Sequence, residues 1–287
     1  MTKNIEKQEH NAAPFSSSTN RKTHILVIGN IKGGAGKSTC AMHIIAGLID
    51  QGLKVASLDT DGNQKTLTTY IQNRQIFNQK NSDIKLQLPL HFLLQGKSCN
   101  SSVTEEQEAK ILQHTLNKAK EYADVIVIDT PGSVCSLSSL AHSYADTIVT
   151  PVNDSFLDID VLASVNPDSL KINKLSTYSE MIWKQKLLKA QRDGGEINWV
   201  IVRNRLSSID AKNKRAVSQV IEEISKKVKC RVSPGFGERV IFRELFLKGL
   251  TLLDLPAIKQ DNLSMSHVAA RQELRGLLRF LNISKNS

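Results

Sequence analysis

The octapeptide KGGAGKST, Lys32 to Thr39, lies just past the apolar run Ile25 to Ile28. A strand that runs into a glycine-rich loop and then a helix aims several backbone N–H groups at one anion, with the positive end of the helix dipole behind them. Phosphate suits that junction. Gly33, Gly34 and Gly36 let the backbone approach phosphate oxygens closely, and Gly33, Gly34, Ala35, Gly36, Lys37, Ser38 and Thr39 are the candidate phosphate-binding residues. Lys37 is placed to reach the outer phosphates, and the Ser38 hydroxyl is the expected Mg²⁺ ligand. The strict P-loop pattern needs glycine at position 31, where this chain has Ile31; a second lysine, Lys32, follows it.

Two further strand ends carry acid. Val125 to Asp129 reads VIVID, a short apolar run with the length of a strand buried on both faces, and it delivers Asp129 beside Thr130, Pro131 and Gly132. Asp129 is therefore a candidate to orient the water shell of a metal. Val55 to Asp61 reads VASLDTD, and on an extended chain Asp59 and Asp61 point to the same side. Two acids after a strand are ordinarily a solvated loop. Beside a phosphate loop they become metal and water-positioning candidates.

Helical and extended patterns alternate along the chain. Strands are expected at Ile25 to Gly29, Lys54 to Leu58, Val125 to Asp129, Thr147 to Pro151 and Trp199 to Asn204, with shorter ones near Cys230 and Thr251. Helices are expected at Gly36 to Asp50, Glu105 to Tyr122, Leu137 to Tyr144 and Asp210 to Lys229. The alternation predicts an α/β fold of the P-loop NTPase type, a mainly parallel twisted sheet with helices on both faces and ligands at the C-terminal strand edges. The 287 residues, 40% of them hydrophobic, suffice for one such domain over 22–287, preceded by a polar tail at 1–21 that reads as disordered. No apolar run has the length of a membrane span or the character of a signal peptide, which predicts a cytoplasmic protein. Cys40, Cys99, Cys135 and Cys230 are scattered and indicate neither a disulfide framework nor a zinc site.

The net charge of +10 is unevenly placed. Residues 1–179 carry 17 basic and 17 acidic side chains, and residues 180–287 carry 21 and 11. Such asymmetry suits a polyanion read without sequence preference, DNA first. Lys212, Lys214, Arg215, Lys226, Lys227, Lys229 and Arg231 are the candidates for phosphate contacts.

With Lys32, Lys37, Asp59, Asp61 and Asp129 in place, the chain resembles the deviant Walker A ATPases of the ParA and MinD superfamily, and within it the MipZ group. The resemblance rests on GNIKGGAGKST, on TPVNDSFLDID (Thr150 to Asp160), WVIVRNRL (Trp199 to Leu206), RVIFRELFLKGLTLLDL (Arg239 to Leu255) and HVAARQELRGLL (His267 to Leu278). It implies ATP and Mg²⁺ as ligands and an ATP-dependent homodimer in which Lys32 reaches the partner's nucleotide. Asp61 would position attacking water, Asp59 and Asp129 would hold Mg²⁺ through water, Thr39 would touch the α-phosphate, and Asn204 would face the adenine edge. A ParB-type centromere-binding protein and FtsZ are the implied protein partners, with nucleoid association and a choice of division site as the output. Gly62 replaces a bulkier residue common in the family and puts the water-positioning geometry, and hence the turnover rate, in question.

Other readings stay open on sequence alone. A ParA-type partition ATPase shares every phosphate-site residue. A MinD-type membrane switch would use the stripe Val268, Leu274, Leu277, Leu278 and Leu281, which has arginines on another side but no Trp or Phe cluster to anchor lipid. An iron–sulfur carrier ATPase would need thiolates at a symmetric interface, for which Cys135 alone is suitable, and a bacterial tyrosine kinase would end in tyrosines absent after Tyr178. A module that holds nucleotide without turning it over is opposed by Lys32 and Asp61.

Overall fold

The computed structural model describes residues 22–94, 104–166, 168–206, 211–259 and 263–285, without the side chains of 211–214 and 259. The tail at 1–21 and Cys99 lie outside the described residues. In chain order the elements are β1 (His24–Ile28), α1 (Lys37–Asp50), β2 (Val55–Asp59), α2 (Thr66–Lys80), β3 (Leu90–Leu93), α3 (Glu105–Tyr122), β4 (Val125–Asp129), α4 (Ser136–Tyr144), β5 (Thr147–Asn153) and α5 (Phe156–Ile159). They continue with β6 (Ala163–Val165), β7 (Ile172–Leu175), α6 (Thr177–Asp193), β8 (Asn198–Asn204), α7 (Ala211–Val228), β9 (Arg231–Ser233), α8 (Ile241–Lys248), α9 (Leu255–Lys259) and α10 (Met265–Leu281).

Seven strands form one parallel sheet in the order β3-β2-β4-β1-β5-β8-β9. Alternation along each strand divides the core. Leu26, Ile28, Val125, Val127, Val200 and Val202 face the layer of α1, α2, α8, α9 and α10, and Ile25, Val27, Ile126, Ile128, Trp199 and Ile201 face α3, α4, α6 and α7. Central strands buried on both faces explain why VIVID and its neighbours read as unbroken apolar runs. Strand order changes direction beside β1, so the C-terminal ends of β1, β2 and β4 open one crevice.

Helix starts follow local chemistry. Thr104 and Gln107 close a capping box on α3, with Glu105, Glu106 and Glu108 in its first turn, and Ser264 and His267 close one on α10. The start of α1 differs: Gly36 precedes it with φ 88, no side chain caps it, and its first turn holds no acid. Those N–H groups are left for an anion. The stripe Leu274, Leu277, Leu278 and Leu281 on α10 is buried in the domain core against α1, so the segment considered for a membrane is packed on its own protein. Among the described residues no helix is long and apolar enough to cross a membrane.

Three local expectations change. The segment near Thr251 is not a strand, because the Thr251 N–H (2.6 Å) and hydroxyl (2.8 Å) both turn to Asp254 Oδ2. The sheet gains the edge strand β3, and β6 and β7 form a small antiparallel pair. Asp59 and Asp61 do not share one extended chain, since β2 ends at Asp59 and the Asp61 N–H turns back to Asp59 Oδ1 at 3.0 Å.

Candidate nucleotide site

Side chains buried at the strand ends hold the loop in shape. Asn30 Nδ2 donates to Pro151 O at 2.7 Å while its Oδ1 accepts from Lys32 N at 2.8 Å. Thr130 Oγ1 donates to Ile28 O at 2.9 Å, and Thr60 Oγ1 to Asp129 O at 2.8 Å. Gly34 (φ 75) and Gly36 (φ 88) take left-handed backbone, and a Cβ on Gly36 would lie 2.5 Å from Asn204 Nδ2. Sequence alone shows the glycines; the tight approach of Asn204, whose Nδ2 donates to Ala35 O at 2.9 Å, comes from the fold.

The loop borders a cavity of about 510 Å³ lined by Gly33, Gly34, Gly36, Lys37, Ser38, Thr39, Asp61, Thr130 and Arg205. A second cavity of about 430 Å³ adjoins it, sharing Gly36, Thr39, Thr66 and Arg205, and is lined by Phe236, Phe242, Phe246, His43, Arg243 and Asn204. One space is polar and loop-bound, the other aromatic. Together they have the two halves that a nucleotide requires, phosphates in the first and base in the second. Sequence reasoning missed Arg205 and the aromatic walls, although Phe242 and Phe246 sit inside the segment Arg239 to Leu255 that carries the family resemblance.

Lys37 is buried, its Nζ 3.2 Å from Lys32 O. Burial lowers its pKa, against the Asp129 and Asp61 carboxylates, which raise it. Asp129 is fully buried, and burial raises its pKa to about 7 in spite of a hydrogen bond from Ser38 and the charge of Lys37. Its Oδ1 has no partner. An orphaned carboxylate oxygen beside a serine hydroxyl at a phosphate loop fits an oxygen-ligated cation that also takes phosphate oxygens and water. No group of three His, Cys, Asp or Glu side chains among the described residues could hold a metal alone.

Asp59 has another occupation. Its Oδ2 accepts from Thr68 N (2.9 Å) and Thr68 Oγ1 (2.8 Å), so it caps α2 from the neighbouring strand, and its Oδ1 takes the Asp61 N–H. It is fully buried and close to saturated. Asp61 lines the phosphate cavity, with Oδ1 accepting from Gln64 N at 3.0 Å. Lys32 does not line that cavity. Its Nζ lies 3.1 Å from both Leu157 O and Asp158 Oδ1, on the adjoining surface where Leu157 is 80% exposed.

The basic candidates separate. Over its 18 residues α7 spans about 27 Å, so Arg215, exposed near its start, lies far from Lys226 and Lys227 at its end and from Lys229 and Arg231 just past it. The Lys212 and Lys214 side chains lie outside the described ones. Arg231 stacks 4.2 Å from the Phe280 ring centroid and donates to Phe280 O at 2.8 Å.

Acid stability follows from two buried imidazoles. Nδ1 of His43 meets Thr39 O at 2.8 Å and Nδ1 of His142 meets Ser138 O at 2.7 Å, leaving both Nε2 atoms without partners. Burial lowers each pKa to about 4. The unfolded chain takes these protons near 6.5 while the fold refuses them until about 4, so both subtract stability as pH falls through that window. Asp129 acts oppositely by one proton, because the fold keeps it protonated up to about 7. Without Mg²⁺, the melting temperature should fall from pH 6.5 to 4, and Asp129→Asn should steepen the fall by removing the opposing proton. A flat profile in thermal scans at constant ionic strength would contradict this.

Comparison with known proteins agrees with the geometry. Residues 24–285 match the family described as ATPase MipZ. The septum site-determining protein MinD of Helicobacter pylori is 27% identical over 158 residues, 49% of this chain and 58% of that protein. ParA of Rhizobium radiobacter is 28% identical over 149 residues, 52% of this chain and 55% of its own length. The alignments thus span little more than half of each curated relative. An ATP complex of Cyanothece McdA shares the fold, with a TM-score of 0.60 at 16% identity over 92% of this chain and 98% of that one. The match over nearly the whole described chain, on the phosphate loop and strand ends set out above, shows that this protein belongs to the MipZ family of ATPases.

Proposed function

We propose that this chain binds ATP with Mg²⁺, forms a homodimer in that state, and hydrolyses the nucleotide to release the dimer. The observation that carries this reading is the pair of joined cavities, a phosphate-loop space with Lys37, Ser38 and Asp61 at its walls and Asp129 buried behind Ser38, and an aromatic space reached past Gly36 and Thr39. Lys37 supplies positive charge to the outer phosphates, and the α1 N–H groups hold them in place. Ser38 and the free oxygen of Asp129 would hold Mg²⁺, which neutralises developing charge on the transferred group. Asp61, half-exposed at the cavity wall, would orient water; Asp59 supports that loop as the cap of α2.

Lys32 fits delivery to a partner's nucleotide, since it stands outside its own phosphate cavity on a surface with exposed Leu157. In the single chain, Asp158 holds it there. A single-turnover comparison tests the hydrolytic role of Asp61: Asp61→Ala should retain ATP and cleave it about 100-fold or more slowly. Equal rates would remove Asp61 from the mechanism.

The family supports a division-site role through a ParB-type protein, FtsZ and non-specific DNA. For DNA we favour Lys212, Lys214 and Arg215, which follow β8 on the nucleotide side of the sheet, where dimerisation can govern access. Replacing all three with Ala should weaken every duplex alike and reduce the salt slope by up to about 3. Unchanged retention on a DNA column would reject the assignment.

A further inference from the structure

On the side of the molecule opposite α7's nucleotide end, α6, β7, β8 and α7 enclose a cavity of about 410 Å³ that shares no residue with the nucleotide site. Its walls are Leu175, Ile182, Trp183, Trp199 and Val228, and the chain's two tryptophans both line it. Trp183 is 49% exposed, and Leu187 and Leu188 continue the apolar surface along the outside of α6, each about half-exposed. A helix that buries Tyr178, Met181 and Ile182 inward needs no second apolar stripe for folding. A contiguous exposed patch of this kind marks an interaction surface.

Charge around the cavity is mainly positive. Lys184, Lys186 and Lys227 line it, with Glu180 as its acidic residue, and Lys226 and Lys229 are exposed beside it. The Lys186 Nζ stands 5.8 Å from the Trp199 ring centroid and 3.3 Å from Lys229 O, so its stem covers apolar surface, and Glu196 is the carboxylate that acts on its charge. Lys227 Nζ lies 3.5 Å from a backbone carbonyl, Ile172 O.

We infer that this groove is a docking site for a protein segment that carries an aromatic or leucine anchor flanked by Asp and Glu. The anchor would fill the space between Trp183 and Trp199, and the flanking carboxylates would meet Lys184, Lys186 and Lys227. Duplex nucleic acid is the less suitable occupant, because the surface is an apolar concavity and Glu180 would face phosphate. Part of the basic excess of residues 180–287 lies on this surface.

A random dodecapeptide phage library panned on the full-length protein, with Trp183→Ala as counter-selection, tests the inference. Enriched peptides should carry acidic residues around an apolar anchor, and titrating them should change the intrinsic tryptophan emission, which arises wholly from this cavity. Lys184→Glu and Lys227→Glu should each weaken binding about fivefold, more at low salt than high. ATP turnover should not change in any of these variants, which separates this test from that of the nucleotide site. Failure to enrich any peptide, a basic consensus, or binding indifferent to Trp183→Ala and both charge reversals would overturn it. Displacement of the peptide by single-stranded or duplex DNA that these lysines bind equally well would assign the groove to nucleic acid instead.

Discussion

Replacing Lys37 with Ala should reduce ATP turnover by at least about 10³-fold while the protein stays folded. In the structure Lys37 is the buried cation at the phosphate loop, with Asp129 and Asp61 as the carboxylates that raise its pKa against burial. Removing it leaves the outer phosphates without the buried cation of the loop. Lys37→Arg should not restore activity, since a planar guanidinium cannot occupy the space of an ammonium at that loop. The fold should tolerate the loss. Burial already raises the Asp129 pKa to about 7, and loss of the Lys37 charge, which lowers it, favours the neutral carboxyl further. Steady-state hydrolysis together with a thermal melt separates the two effects; activity within tenfold of the unaltered protein would exclude the assigned role.

The largest effect on stability is expected at Arg74, well outside the phosphate loop. This buried side chain makes a bidentate pair with Asp254, at 2.6 and 2.9 Å, and donates to Gln87 O at 2.8 Å and Gly249 O at 3.1 Å. It joins α2 to the segment between α8 and α9. Gly249 has φ 66 at that junction, and a Cβ there would lie 2.0 Å from Arg74 N, which shows how closely the two elements pass. A buried pair adds little over an apolar replacement, but breaking it strands the other charge. Arg74→Ala should therefore cost about 3–5 kcal/mol in denaturant unfolding. Combining Arg74→Met with Asp254→Asn should recover part of that loss, and a cost under about 1 kcal/mol for the single variant would contradict the account. Tyr70 and Asn73 also bond across this junction, to Leu250 O and Phe246 O, so loosening α2 should disturb the aromatic wall of the base cavity as well.

How much of this was legible in the sequence depends on where the signal resides. The central strands could be read because burial on both faces leaves continuous apolar runs such as VIVID, and the phosphate loop because its chemistry is local to eight residues. The helix α2 was harder to see. Its apolar positions Leu67, Tyr70 and Ile71 lie among Thr, Asn and Gln, and its N-terminal cap comes from Asp59 in another element. The strand β3 follows a proline and has only four residues at an edge. Long-range partnerships were not legible at all: the pairing of Lys32 with Asp158 and the aromatic base cavity, which brings Phe236, Phe242 and Phe246 to Gly36, depend on residues far apart in the chain. The basic excess was read correctly as a quantity but not as a shape, since α7 carries its two clusters to opposite ends.

The central claim is that nucleotide governs the association of two chains. Asp61→Ala, sized by light scattering with Mg²⁺ and either ATP or ADP, tests it most directly. The account predicts twice the mass of a single chain with ATP and the mass of one chain with ADP. One chain in both conditions, with ATP shown to be bound, would contradict it.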